Sequence, residues 1–219
     1  MTIRRGQTWG EPGSLAPGAP LIDRDADLVP SVADRLEEGG PSDRGRPEVG
    51  LLGGDLHRTL GSPQHTADEL RSGEGMRFPV DLVEVTLHPI EGGSVQWWFC
   101  AHLIAVDGRS RPFESPTYVA MNGNYLGELD LGPRAHPGDG LVDVTEGRLP
   151  RKDRRAARRR YLTGTHLPHP ALRTRRVGAD EVTFDRPMSV RLDGGSARQV
   201  TALERSEERR VGKECRSRW

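Results

Sequence analysis

Two glycines and an acid, Gly53-Gly54-Asp55, follow the apolar run Val49 to Leu52 and open a helical stretch from Leu56 to Leu60. A glycine turn lets a ligand approach the backbone, and the first turn of a helix presents free N–H groups. Strand, glycine turn and helix can therefore hold a phosphate. The same residues also make an ordinary turn. Two further acidic glycine turns follow, Pro137-Gly138-Asp139-Gly140-Leu141 and Asp193-Gly194-Gly195. Seven basic residues between Arg151 and Arg160 make a local positive field. That field suits an anionic membrane surface, a phosphate-bearing substrate, or a solvated helix face. His166 and His169 flank prolines with no Cys or acid nearby, so they read as structural and not as metal ligands. Trp97-Trp98-Phe99 could form a stacking platform, but aromatic core is the preferred reading.

Several elements must position these residues. The breakers Gly10, Pro12, Gly13, Pro17, Gly18 and Pro20 make residues 1–20 an extended or loose leader. Leu21-Ile22 reads as a very short strand, followed by a helix from Asp27 to Glu38 with Leu28, Val32 and Leu36 on one face. Ser42 to Glu48 reads as a polar loop, Thr66 to Ser72 as a further helix. Val83, Val85 and Leu87 alternate as a strand with one wet face. Val95 to Val106 reads as one central strand covered on both sides. Val119 to Gly147 reads as strand, tight turn at Asn122-Gly123, strand, acidic loop and strand. Pro150 opens a basic helix. Arg176 to Phe184 and Met188 to Leu192 read as paired strands around Asp185-Arg186-Pro187.

Composition bounds the rest. With 219 residues, 34% hydrophobic and 29% charged, the chain fits one good-sized domain or two small ones joined by polar segments. Lys plus Arg equals Asp plus Glu at 32 each, so overall charge implies no nucleic-acid partner. Cys100 and Cys215 form no disulfide framework or zinc pattern, which fits a reducing compartment. The amino terminus lacks a signal-peptide core, and no run reaches the roughly 18 to 20 apolar residues that span a bilayer. A cytoplasmic protein is expected.

The stretch Asn122 to Val144 resembles a segment of bacterial lipid kinases of the diacylglycerol kinase family, NGxYxGGGMxxxPxAxPDDGLLDV. Asn122, Gly123, Tyr125, Gly127, Pro133, Ala135, Pro137, Asp139, Gly140, Leu141, Asp143 and Val144 match in order. Gly53, Asp55, Arg58, Leu60 and Gly61 are similar to the family's GTGNDFARxLG, with Leu52 and Gly54 replacing Thr and Asn. A competing alignment sets Gly53 to Leu56 on the family's GGDG turn. The resemblance implies ATP with Gly53, Gly54 and Asp55 at the nucleotide and Arg58 neutralising phosphate. It also implies magnesium at Asp139 and the carbonyls of His136 and Leu141. The substrate would be a lipid or other small hydroxyl-bearing molecule, with Arg151 to Arg160 as a peripheral membrane contact. The family hairpin ends in DGE. Asp193 and Gly194 match it, and Gly195 stands where the glutamate base is expected.

The expected fold is α+β, a small α/β remnant of a nucleotide-binding domain at residues 21–78 packed on a β-rich sandwich-like domain at residues 79–204. Fewer than fifty residues precede Val49, so no second glycine turn for the nucleotide is expected. Arg205 to Trp219 resembles a translated sequencing adapter and is expected to be disordered and non-native. Two functions follow: a lipid kinase relative with incomplete catalytic motifs, or a catalytically silent homologue that binds a ligand or partner.

Overall fold

A computed structural model of the chain describes residues 9–37, 47–62 and 65–205. The elements in order are β1 (Glu11–Pro12), β2 (Leu21–Ile22), α1 (Leu28–Glu37), β3 (Gly50–Leu51), α2 (Gly54–Thr59), α3 (Ala67–Ser72) and β4 (Met76–Arg77). Then follow β5 (Val83–Pro89), β6 (Val95–Phe99), β7 (His102–Val106), β8 (Thr117–Met121), β9 (Tyr125–Leu126), β10 (Leu129–Asp130) and β11 (Val142–Gly147). The last are α4 (Arg154–Arg160), β12 (Leu172–Val177), β13 (Asp180–Leu192) and β14 (Arg198–Arg205). The polar loop expected at Ser42 to Glu48 falls mostly, and the tail beyond Arg205 wholly, outside the described residues.

The fold is α+β. Leu28 and Val32 bury one face of α1 against Ile22, Leu56, Leu82, Cys100 and Ala101. The parallel pair β2 and β3 sets Leu21 beside Gly50 and Ile22 beside Leu51. Thr66 and Glu69 form a reciprocal capping box that starts α3. Glu11 and Pro12 pair with β4, Pro17-Gly18 turns the chain back, and Trp9 packs against Phe78 and His136.

Eight antiparallel strands form one sheet in the order β12, β11, β8, β7, β13, β14, β5, β6. Inward residues of β5 and β14, such as Val85 and Leu203, share a core with Ala120 of β8 and Val144 of β11. A flat sheet could not bring those strands together on one face, so the sheet folds over on itself like a sandwich. The outer face of β7 and β8 is covered by Phe113, Leu131, Leu149 and Tyr161. Among the described residues no helix is long and apolar enough to cross a membrane.

Four expectations need correction. Val95 to Val106 is two strands: β6 at the sheet edge, and β7, which is central and fully buried. The break comes at Cys100-Ala101, whose N–H groups bond to a side chain, Asp193, and not to a neighbouring strand. Trp97 and Trp98 do face opposite ways, Trp97 toward the sandwich core and Trp98 toward the α1 side. Second, β12 pairs with β11, while β13 is one long strand with a bulge between Thr183 and Met188. Third, the turn at Asn122-Gly123, a dipeptide expected there because both residues tolerate positive φ, uses it at neither. Gly123 is needed for close approach instead, since a Cβ there would lie 2.8 Å from Thr59 Oγ1. Fourth, α4 begins at Arg154, a turn after Pro150.

Candidate functional site

An open cleft of about 600 Å³ lies where the α1 side meets the end of the sheet, lined by residues 23–26, Gly54, Asp55, Arg191 and residues 193–196. Parallel pairing of β2 with β3 sets the turn after Ile22 beside the turn after Leu51. The two turns touch closely. Asp25 accepts hydrogen bonds from Asp55 N–H at 2.5 Å and Leu56 N–H at 3.1 Å, the second and third amides of α2. Gly54 has φ of +96°, a conformation that favours glycine.

The sheet supplies the opposite wall. Asp193, at the end of β13, accepts from the N–H groups of Cys100, Ala101 and His102 at 2.8, 2.9 and 2.9 Å. Its own N–H returns to the His102 carbonyl. Gly195 N–H closes the following turn on the Leu192 carbonyl at 2.8 Å. His102 Nε2 lies 2.9 Å from Asp55 Oδ2, and Gly127 N–H donates to Asp55 Oδ1 at 2.8 Å. A polar chain of Asp25, α2, Asp55, His102 and Asp193 thus links both walls.

Burial sets the electrostatics, and partners modify it. Burial pushes Asp25 up to about 6, helped by the charges of Asp193 and Asp55 and opposed by its amide bonds. For Asp55, burial is outweighed by the bonds from His102 and Gly127, and its carboxyl lies below the usual range. Burial pulls His102 down, but the Asp55 hydrogen bond and the surrounding carboxylates leave it above the ordinary value. The pair therefore favours imidazolium against carboxylate.

The residues singled out in the sequence fall into two places. Gly54, Asp55 and Gly195 meet in the cleft, with Gly53 packed just behind it on Asp23. Arg58 leaves the cleft; it donates to the Gly127 carbonyl at 2.7 Å and lies over the Tyr125 ring. The loop of His136, Asp139 and Leu141 lies apart, under Trp9 and beside Asp81, whose carboxylate accepts from Gly140 N–H. In that loop Leu141 N–H donates to Asp139 Oδ1 at 3.0 Å, and Arg176 pairs with Oδ2. Among the described residues no group of three or more His, Cys, Asp or Glu is arranged to hold a metal.

His166 is buried between Phe113 and Tyr161, and burial pushes it down to about 4. His169 accepts from Ala171 N–H. The sequence reading missed Asp25, His102 and Arg191. Only Asp25 had a signal, since it follows a short apolar run as Asp55 does. A turn without glycine, Asp23 to Ala26, stands beside the Gly53-Gly54 turn.

Residues 94–208 match the family model described as the YegS C-terminal NAD kinase beta sandwich-like domain. Two solved structures of a protein from Bacillus anthracis str. Sterne assigned as a diacylglycerol kinase are similar in fold. One superposes with a TM-score of 0.57 at 16% identity, covering 85% of this chain and 75% of that one. The other gives 0.51 at 16% identity, covering 73% of this chain and 66% of that one. The chain therefore spans only about two thirds of the second chain's length. No curated protein matches.

Proposed function

The chain belongs to the family of the YegS C-terminal NAD kinase beta sandwich-like domain, and from that premise we propose a diacylglycerol-kinase-like cytoplasmic protein in which phosphate transfer from ATP to a lipid is lost. It acts as a binding module for a lipid-type, hydroxyl-bearing ligand. One observation carries this reading: Gly195 stands in the cleft at the position where the resemblance puts the base, and the neighbouring carboxylates are tied up. Asp193 is held by three amides and Asp55 by His102 and Gly127. General base catalysis is commonly worth about a hundredfold to ten-thousandfold, so its absence alone is a severe handicap.

ATP and magnesium are the cofactors that an active relative would use. At the acidic loop Asp139 is paired with Arg176, so a divalent cation at that carboxylate must first displace an arginine. In this reading the small α/β unit, residues 21–78, is the nucleotide-side part of the molecule. A membrane surface is the natural place to meet a lipid, and α4 supports that contact. Arg155 and Arg159 lie on the face opposite the buried Ala157 and Tyr161, and Leu162 beside them is 55% exposed.

A radiolabelled ATP assay on diacylglycerol vesicles tests the proposal. The expected result is no transfer above background. Robust turnover by the unmodified chain overturns the loss of activity, whereas turnover in Gly195→Glu alone assigns the whole deficit to the missing base.

A further inference from the structure

We infer that the side chain of Asp25 permanently occupies the Gly53-Gly54 turn, and that the phosphates of a nucleotide have no place there in this chain. The inference deepens the function proposed above and rests on the same family membership.

A strand, glycine turn and helix hold a phosphate with two resources: N–H groups at the helix start, and the open space that a missing Cβ leaves. Both are already taken. The N–H groups of Asp55 and Leu56 donate to the two carboxylate oxygens of Asp25. A Cβ on Gly54 would lie 2.5 Å from Asp25 Oδ1, and one on Gly53 would lie 2.6 Å from the Asp23 carbonyl oxygen. The two glycines make room for the protein's own turn. Asp25 is 5% exposed and is seated by the strand pairing that precedes it, so it is not a loose side chain that swings aside.

Charge acts in the same direction. Asp23, Asp25, Asp55 and Asp193 line the cleft against Arg24 and Arg191, and Arg24 is itself paired with Asp27. A triphosphate entering the turn would meet carboxylates where it needs donors. His102 offsets part of that charge, but its Nε2 is spent on Asp55.

The test follows the two amides directly. Isotope-labelled full chain is titrated with ATP and magnesium chloride while the amide resonances of Asp55 and Leu56 are recorded. Hydrogen exchange at the same amides is compared between the unmodified chain and Asp25→Ala. The expected result is that both resonances stay in place up to millimolar ATP, and that exchange in Asp25→Ala is about tenfold faster, the effect of losing one modest hydrogen bond at each amide. Saturable shifts of both resonances with ATP overturn the assignment, as does unchanged exchange in Asp25→Ala. If that variant does not fold, the titration of the unmodified chain decides alone. Phosphate transfer with both resonances unmoved would overturn the proposed loss of activity and leave Asp25 as the turn's occupant; saturable shifts without transfer would do the reverse.

Discussion

His102 and Asp55 hold each other in opposite charge states across the cleft, and the sign of each shift fixes when they stabilise the fold. His102 lies above its ordinary 6.5, so its contribution is full below that value and fades as pH rises through the raised one. Asp55 lies below its ordinary 3.8, so its contribution is full above that value and is lost as pH falls through the lowered one. A double-mutant cycle of Asp55→Asn and His102→Gln should therefore give its largest coupling, about 0.5–3 kcal/mol, between the two ordinary values, and a smaller one at alkaline pH. Denaturant melts across that range measure it; a coupling that does not vary with pH would show the contact to be a neutral hydrogen bond. Asp55 could be found from its turn. His102 could not, because it opens an apolar run and its partner lies 47 positions away. Asp25 was half legible: its turn has the right neighbours but no glycine to mark it.

Elements were legible wherever local pattern decided them. The helix of α3, the glycine turn after β3, and the strands on either side of the acidic loop follow from residues within a few positions of one another, whereas the pairing of that glycine turn with Asp25 joins residues thirty positions apart. Nor is the boundary between β6 and β7 local. It depends on Asp193, more than ninety positions along, whose carboxylate takes the N–H groups that would otherwise extend a strand. The partner of β12 was likewise misread, because a bulge let β13 run on through Asp185-Arg186-Pro187. For α4 the sequence left a membrane contact and a solvated face open, and pairing now sharpens the choice. Arg158 is neutralised by Glu114, while Arg155 and Arg159 make no ion pair among the described residues. Reversing both to Glu should weaken co-sedimentation with vesicles containing anionic lipid by about tenfold or more, near 1 kcal/mol for each basic residue at the surface, and leave neutral vesicles unaffected. Reversing Arg158 should matter less. Equal binding by the Arg155→Glu/Arg159→Glu chain would make the helix a solvated face.

At the scale of the whole molecule, the sandwich was legible as many short strands at short spacing, but the way the α1 side attaches to it was not. That attachment has an apolar half and a polar half. In the apolar half, Ile22, Leu28, Val32 and Leu56 share one cluster with Leu82, Cys100 and Ala101 at the end of the sheet. In the polar half, Asp25, Asp55, His102 and Asp193 run alongside it. Arg205 closes β14 in the same manner far away, donating to the carbonyls of Val177 and Gly178, which places it within the fold and outside the expected tail. Because both halves cross the same junction, the α1 side and the sandwich should unfold together in the unmodified chain. Leu56 is the test of that coupling: it is fully buried and belongs to α2, which carries both Asp55 and the amides that Asp25 holds. Leu56→Ala should cost about 2–5 kcal/mol at the junction, from lost burial and the cavity left behind. The sandwich core contains none of the cluster's residues, so that cost falls on the α1 side and its junction with the sheet and spares the sandwich core. Urea melts followed by far-ultraviolet circular dichroism and by tryptophan fluorescence should coincide for the unmodified chain and separate for Leu56→Ala. A single coincident transition in the variant, merely shifted to lower urea, would show that the two parts have no independent stability and that the cluster is simply one more piece of a shared core.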